Sequence, residues 1–210
     1  MTRRPDPFIQ ALASLMGRAE TGVYAPGQPV VIVDEARRLK LSTTPVREAL
    51  AWLCGYGLVE RAPAGGFLAP RLEPAVVVDR LAFRLHCLSV SVNGAGQAHV
   101  GGGRPSEDPV EALSGHMLRT VRATGNAALA DAYGRVASQL RQLAEAERRV
   151  FDDLEDEARA LVDLFEAPGG GGLPEALGVY HRRRMDAAAV LVLEAEAGRA
   201  EASDVGDAAP

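Results

Sequence analysis

The 210-residue sequence predicts a mainly α-helical chain in two parts, a winged helix-turn-helix over residues 1–70 and an all-α helical bundle over residues 75–198. Three observations carry this. Between Ser42 and Glu60 a short amphipathic helix gives way to glycines and the start of a β-hairpin. Beyond residue 74 apolar residues recur at helical spacing to about residue 197. Charge is divided unevenly: residues 1–70 hold 8 basic and 6 acidic side chains, residues 71–210 hold 15 and 22. A mildly basic front on an acidic body suits a DNA-reading module joined to a second unit.

Phe8 to Arg18 reads as the first helix, with Phe8, Ile9, Leu12, Leu15 and Met16 at helical spacing. Gly22 to Pro29 is a loop that turns at Pro26-Gly27. Val33 to Leu39 is a second helix, Lys40 to Thr43 a turn, and Thr44 to Cys54 a third helix. Thr44 suits its N-cap and Pro45 its first helical position, where a missing N–H costs nothing. Val46, Leu50 and Leu53 recur at i, i+4 and i+7 and face inward. Leu58 to Arg61 and Phe67 to Ala69 flank a turn at Pro63 to Gly66 and form the wing.

Residues 71–74 read as a linker. Val77, Leu81, Leu85, Leu88 and Val92 mark the inner stripe of the first bundle helix, and Asn93 to Pro105 is a mobile glycine-rich loop. Three more helices follow, over Glu107 to Thr124, Ala127 to about Arg149 and Asp152 to Glu166. Leu173 to Ala197 is the last, and residues 199–210 read as a disordered tail.

Composition narrows the function. Cys54 and Cys87 form no disulfide framework and have no zinc-ligand spacing. Either thiol would sense redox state only if a neighbouring cation activated it. No apolar run reaches membrane-spanning length and the N-terminus lacks an apolar signal core, which points to the cytoplasm. The glycines of residues 93–105 match neither a phosphate loop nor a dinucleotide fingerprint. No nucleophile–base pair or carboxylate dyad is visible, so neither an enzyme nor a cofactor is expected.

Ser42, Thr43 and Thr44 crowd the N-terminus of the third helix, and Arg47 lies opposite its core stripe. Hydroxyls, helix N–H groups and one arginine on a short helix are what phosphate and base-edge contacts require. Several segments also resemble the N-terminal domain of GntR-superfamily transcription regulators. They are Tyr24-x-Pro26-Gly27, Leu39-x-Leu41-Ser42, Thr44-Pro45-Val46-Arg47-Glu48-Ala49-Leu50, Gly57-Leu58-Val59-Glu60 and Pro63-x-x-Gly66. The resemblance covers residues 8–70 without gaps. It implies a double-stranded DNA operator contacted by Arg37, Arg38, Lys40, Ser42, Thr43, Thr44, Arg47, Arg61, Gly65 and Gly66. The sequence departs from the family at Glu35, where leucine is usual, and at Val33 and Thr43, where arginines are frequent. Lys40 replaces a common turn glycine and Gly65 a common basic residue of the wing tip. Each lost cation weakens the salt-dependent part of DNA affinity.

The later segments resemble the FadR C-terminal domain (FCD) class. Leu118-Arg119-x-Val121-x-Ala123-x-Gly125-Asn126-x-x-Leu129 looks like its second-helix signature, and 157–163 and Ala176-Leu177-x-x-Tyr180-His181 look like later parts. Many members hold a divalent metal with one aspartate and three histidines. Those four positions fall on Leu113, Met117, Ala158 and His181, and a one-residue slip would bring in His116, giving two imidazoles at most. No metal is therefore expected. The resemblance implies a small-molecule effector pocket formed by those four residues with Arg80, Arg84 and Asn126. Its loss of polar ligands favours an apolar or aromatic effector, although Arg80 and Arg84, one turn apart, suit an anion clamp. Asn126 also reads as a left-handed residue ending a helix after Gly125. The leading expectation is a ligand-responsive homodimer on a near-palindromic operator; the alternative is an effector-independent regulator whose helical domain serves dimerisation or protein interaction.

Overall fold

A computed structural model of the chain describes residues 6–94, 106–167 and 171–207. The N-terminal unit contains α1 (Pro7–Glu20), α2 (Ile32–Leu39), α3 (Thr43–Tyr56), β1 (Glu60–Arg61) and β2 (Phe67–Leu68). The Asp6 carboxylate caps α1 by accepting the Phe8 N–H at 2.8 Å. The strands pair antiparallel with Glu60 opposite Leu68 and Arg61 opposite Phe67, and Pro29 bridges to Leu68 on the other side. Ala11, Leu15, Val46, Leu50 and Leu53 are fully buried where α1 crosses α3, so the predicted core stripe holds. The cap of α3 is corrected: Ser42 is the N-cap and Pro45 the third helical residue. Proline fits there because the first helical N–H groups have no intrahelical acceptor.

Glu35, the acidic residue at an apolar position, is only 6% exposed. Arg38 closes on it at 2.7 Å from α2 itself, and the Arg18 guanidinium approaches to 3.2 Å from α1. The carboxylate thus links the first two helices by charge where a leucine would link them by packing.

Leu72, within the predicted linker, is buried in the core of the helical unit, and α4 spans Pro74–Gly94. There follow α5 (Pro109–Ala123), α6 (Ala127–Leu140), α7 (Ala144–Val150), α8 (Leu154–Glu166), α9 (Leu173–Asp186) and α10 (Ala188–Asp207). Helix α4 runs through the middle, packed against α5, α6, α9 and α10, with Val77, Leu81 and Leu88 buried and Leu85 and Val92 half-buried. Two long predicted helices are each divided. A 3-10 turn at Arg141–Leu143 separates α6 from α7, and Ala187 separates α9 from α10. Neither break carries proline or glycine; both redirect the chain so that Leu143, Ala146, Ala188 and Leu191 join one core.

The tail is also corrected. Helix α10 continues through 199–207, because Glu201 and Ala202 are strong helix formers and no proline lies between Ala188 and Pro210. Residues 208–210 lie outside the described residues, as do 95–105 of the predicted glycine-rich loop, including His99. No helix among the described residues is long and apolar enough to cross a membrane.

The two units touch at the end of α3. The Gln139 side-chain amide donates to the Tyr56 carbonyl at 2.8 Å, and the Arg135 guanidinium lies 5.6 Å from the Tyr56 ring centre. Trp52, one turn earlier, stacks on Tyr56 at 4.7 Å, and Arg141 approaches Glu20 of α1 at 3.8 Å.

Candidate nucleic-acid interface and helical-unit pocket

The N-terminus of α3 is open to solvent. Ser42, Thr43, Thr44 and Arg47 are all exposed, and Arg47 makes no ion pair among the described residues. Its guanidinium therefore remains available to an outside acceptor. Just before the helix, Lys40 is exposed and holds φ at 55°, the only positive φ outside glycine among the described residues. That backbone shape ends α2: the Lys40 N–H returns to Ala36 and Arg37, and the Leu41 N–H to Ala36 at 3.0 Å. At the wing tip Gly65 and Gly66 hold φ of 93° and 86° and are exposed, so the hairpin turns without a side chain in the way.

The other predicted cations are less free. Arg37 pairs with Asp34 on the surface at 3.0 Å. Arg38, though exposed, donates to the Glu35 carboxylate at 2.8 Å and to the Ser14 hydroxyl at 3.0 Å. Arg61, on β1, lies 5.6 Å from the Phe67 ring centre and is exposed. The structure thus gathers Lys40, Ser42, Thr43, Thr44 and Arg47 around one helix end, while Arg38 is engaged by the buried Glu35 carboxylate.

The helical unit contains a cavity of about 380 Å³ that reaches the junction with the N-terminal unit. Met117, Leu118, Tyr133, Ala137 and Tyr180 supply apolar walls, Arg84 and Glu147 supply charge, and Tyr56 and Glu20 close the end nearest α3. Of the predicted effector residues, Arg84 and Met117 line this space. Leu113, Ala158 and His181 are buried without lining it. Arg80 does not join Arg84 there; it is half-buried, and burial holds its pKa down while Glu60 raises it. One helical turn carries Arg80 toward the wing and Arg84 into the bundle. Asn126 is corrected in both respects. Gly125 is the left-handed residue, with φ of 70°, and Asn126 is the exposed N-cap of α6, accepting the Leu129 N–H at 3.0 Å.

His181 is fully buried. Its Nδ1 lies 2.7 Å from the Leu177 carbonyl, and the Nε–H of Arg84 donates to its Nε2 at 3.1 Å. Burial first, and the Arg84 charge next, hold its pKa well below the usual histidine range, so the ring is neutral. Tyr133 and Tyr180 are pushed up by burial and stay protonated. His116 instead faces Glu166 at 3.3 Å and stacks on Phe165, so the two histidines have separate partners. Among the described residues no group of three or more metal-ligating side chains is assembled. Burial also pushes the Cys54 and Cys87 thiols up, the opposite of activation.

The sequence reading missed Arg184. It is fully buried and donates from Nε to Glu147 at 2.8 Å and from Nη1 to Glu157 at 2.9 Å, with its guanidinium 3.4 Å from the Tyr180 ring centre. The signal was positional: Arg184 lies four residues after Tyr180 and three after His181, on the inward side of α9.

No family model matches the chain. Over 85 residues it is 31% identical to an uncharacterized HTH-type transcriptional regulator of Agrobacterium vitis, encoded in the TAR-I ttuE-ttuC' intergenic region. That match covers 40% of the chain and 47% of the relative, so it spans about half the relative's length. Among solved structures the chain is similar to McbR/YncC of E. coli, at 16% identity and a TM-score of 0.66 over 88% of this chain and 98% of that one. It is also similar to the transcriptional regulator GntR from Rhodococcus sp. RHA1, at 15% identity and a TM-score of 0.69 over 86% and 96%. At such identities the likeness shows the fold alone: a winged helix-turn-helix followed by a helical bundle, as in those two proteins.

Proposed function

We propose that the chain is a DNA-binding transcription regulator of the GntR type, FCD-like in its second unit, whose hold on a double-stranded operator responds to a small molecule in the helical unit. The observation that carries this is the solvent-open N-terminus of α3, with Ser42, Thr43, Thr44 and Arg47, which has no ion-pair partner among the described residues, beside Lys40. Hydroxyls and helix N–H groups suit phosphate, and Arg47 reaches a guanine edge or phosphate from the major groove. The glycine wing tip approaches the backbone or minor groove. The cavity supports the effector part of the reading, because Tyr56 at the end of the reading helix is one of its walls.

The reading includes a homodimer on a near-palindromic site. Val76, Phe83 and Val90 of α4 are exposed and spaced seven apart, an apolar stripe suited to a second copy of the helix. A twofold pair would present two reading helices to successive major grooves.

The test is fluorescence anisotropy on duplex DNA from the chain's own upstream region across a salt series. Arg47→Ala is expected to lose about 1–3 kcal/mol, roughly 5- to 150-fold, on that duplex. Wild-type binding no tighter than to random DNA, and indifferent to Arg47, would sink the proposal.

Lys40→Gly separates backbone from charge at the same site. Glycine relieves the left-handed strain but adds chain entropy, so the variant is expected to gain about 0.5–1 kcal/mol of stability. It is also expected to weaken DNA binding uniformly across sequences and to lower the salt slope by about one. An unchanged slope would place Lys40 off the phosphates.

A further inference from the structure

We propose that Glu48 is a base-reading residue of α3, its carboxylate accepting a hydrogen bond from the amino group of a cytosine on the floor of the major groove. This rests on the DNA-binding reading above and names one base that the operator carries.

Glu48 occupies the second turn of α3, directly after Arg47, and is exposed. Its direction follows from the helix. Val46, Ala49, Leu50 and Leu53 are fully buried and define the inward side. At about 100° per residue, the direction opposite their mean lies about 30° from Glu48 and about 70° from Arg47. Glu48 therefore points more squarely away from the core than the arginine does. Thr44, one turn before it, and Ala51, three residues after it, share the outer side, and neither is longer than the carboxylate. Among the described residues Glu48 has no ion pair and no side-chain hydrogen bond.

Such a carboxylate on the outer side of a reading helix is unfavourable beside a duplex, because the phosphates repel it. It is also acceptor-only, so phosphate oxygens, guanine O6 and N7, and thymine O4 offer it nothing. The donors on the groove floor are the amino groups of cytosine and adenine. Cytosine fits better, since adenine sets the N7 acceptor beside its amino group, facing the second carboxylate oxygen. Arg47 is donor-only, so the two adjacent residues divide the floor between them, acceptors to Arg47 and a donor to Glu48. The repulsion then acts as selection. A site without the cytosine leaves the carboxylate against an acceptor.

Full-length wild type, Glu48→Ala and Glu48→Gln are each put through repeated selection on a duplex pool with randomised central positions, and the bound sequences are read. Wild type is expected to fix a C·G pair at a position that Glu48→Ala leaves unselected. Glu48→Gln is expected to move the preference there to adenine, whose N6 and N7 suit an amide. On the selected duplex, changing that C·G pair to T·A is expected to weaken wild type about tenfold and Glu48→Ala less than about threefold, measured by anisotropy. Both variants are expected to melt with wild type, since the position is exposed. The inference is overturned if the wild-type sequence carries no fixed C·G pair, or if either variant selects cytosine there as strongly as wild type. It is also overturned if both variants melt several degrees lower, which would make Glu48 structural. A pool from which wild type enriches nothing overturns the DNA-binding reading with it; an enriched sequence indifferent to Glu48 overturns this inference alone.

Discussion

Arg184→Ala is expected to lower the free energy of unfolding by about 3–5 kcal/mol, the largest single-residue effect outside the apolar cores. The side chain is fully buried, and its guanidinium joins α7, α8 and α9 by holding Glu147 and Glu157 at 2.8 and 2.9 Å. It also donates to the Tyr180 carbonyl at 3.1 Å and lies over the Phe151 ring at 5.1 Å. Alanine removes the cation and leaves two half-buried carboxylates facing each other across a void. Glu157 keeps Arg183 at 3.3 Å, whereas Glu147 has no second cation among the described residues. Urea denaturation of the variant beside wild type measures the cost. A loss under about 1 kcal/mol would mean that both carboxylates swing out to water. Replacing the whole set, by Arg184→Met with Glu147→Leu and Glu157→Leu, is expected to return stability to near wild type, because buried ion pairs often do no better than apolar groups of similar volume.

That network also marks where reading the sequence stopped. The N-terminal unit was legible because its periods are local. Val46, Leu50 and Leu53 form a stripe whose inward side is fixed by composition, and glycines 65 and 66 have few uses between two short apolar runs besides a tight turn. The bundle was legible as helices but not as their lengths. The breaks at residues 141–143 and at Ala187 follow from packing against α10 and α4, with no breaker in the sequence to announce them. Charged residues were the least legible. Glu147, Glu157 and Arg184 look like solvated positions in sequence, and only the neighbouring helices make them internal pairs. Arg80 and Arg84 show the same limit. Spacing puts them on one helical face, yet that face passes from the domain border to the cavity within one turn, and only Arg84 reaches it.

Gly57→Ala is expected to cost about 2–3 kcal/mol and to loosen the junction between the units. Gly57 ends α3 with φ of 76°, its N–H returning to the Cys54 carbonyl at 3.1 Å, and an L-residue there is strained by about 1–2 kcal/mol. A methyl group would also collide with Nε2 of Gln139, the atom that donates to the Tyr56 carbonyl. Losing that hydrogen bond adds about 0.5–1.5 kcal/mol. The two contributions separate in a double-mutant cycle. Gln139→Ala alone is expected to show only the second, and Gly57→Ala made in that background only the first. The cycle has a functional counterpart, because Tyr56 belongs to α3 and to the cavity wall at once. If an effector acts on the reading unit through this contact, Gln139→Ala leaves DNA binding and ligand binding each nearly intact while shrinking the effect of one on the other. The linkage is reciprocal, so the change in operator affinity with ligand and the change in ligand affinity with operator must fall by the same factor. Undiminished coupling in Gln139→Ala would move the link to another contact between the units, such as Arg141 with Glu20, which also borders the cavity.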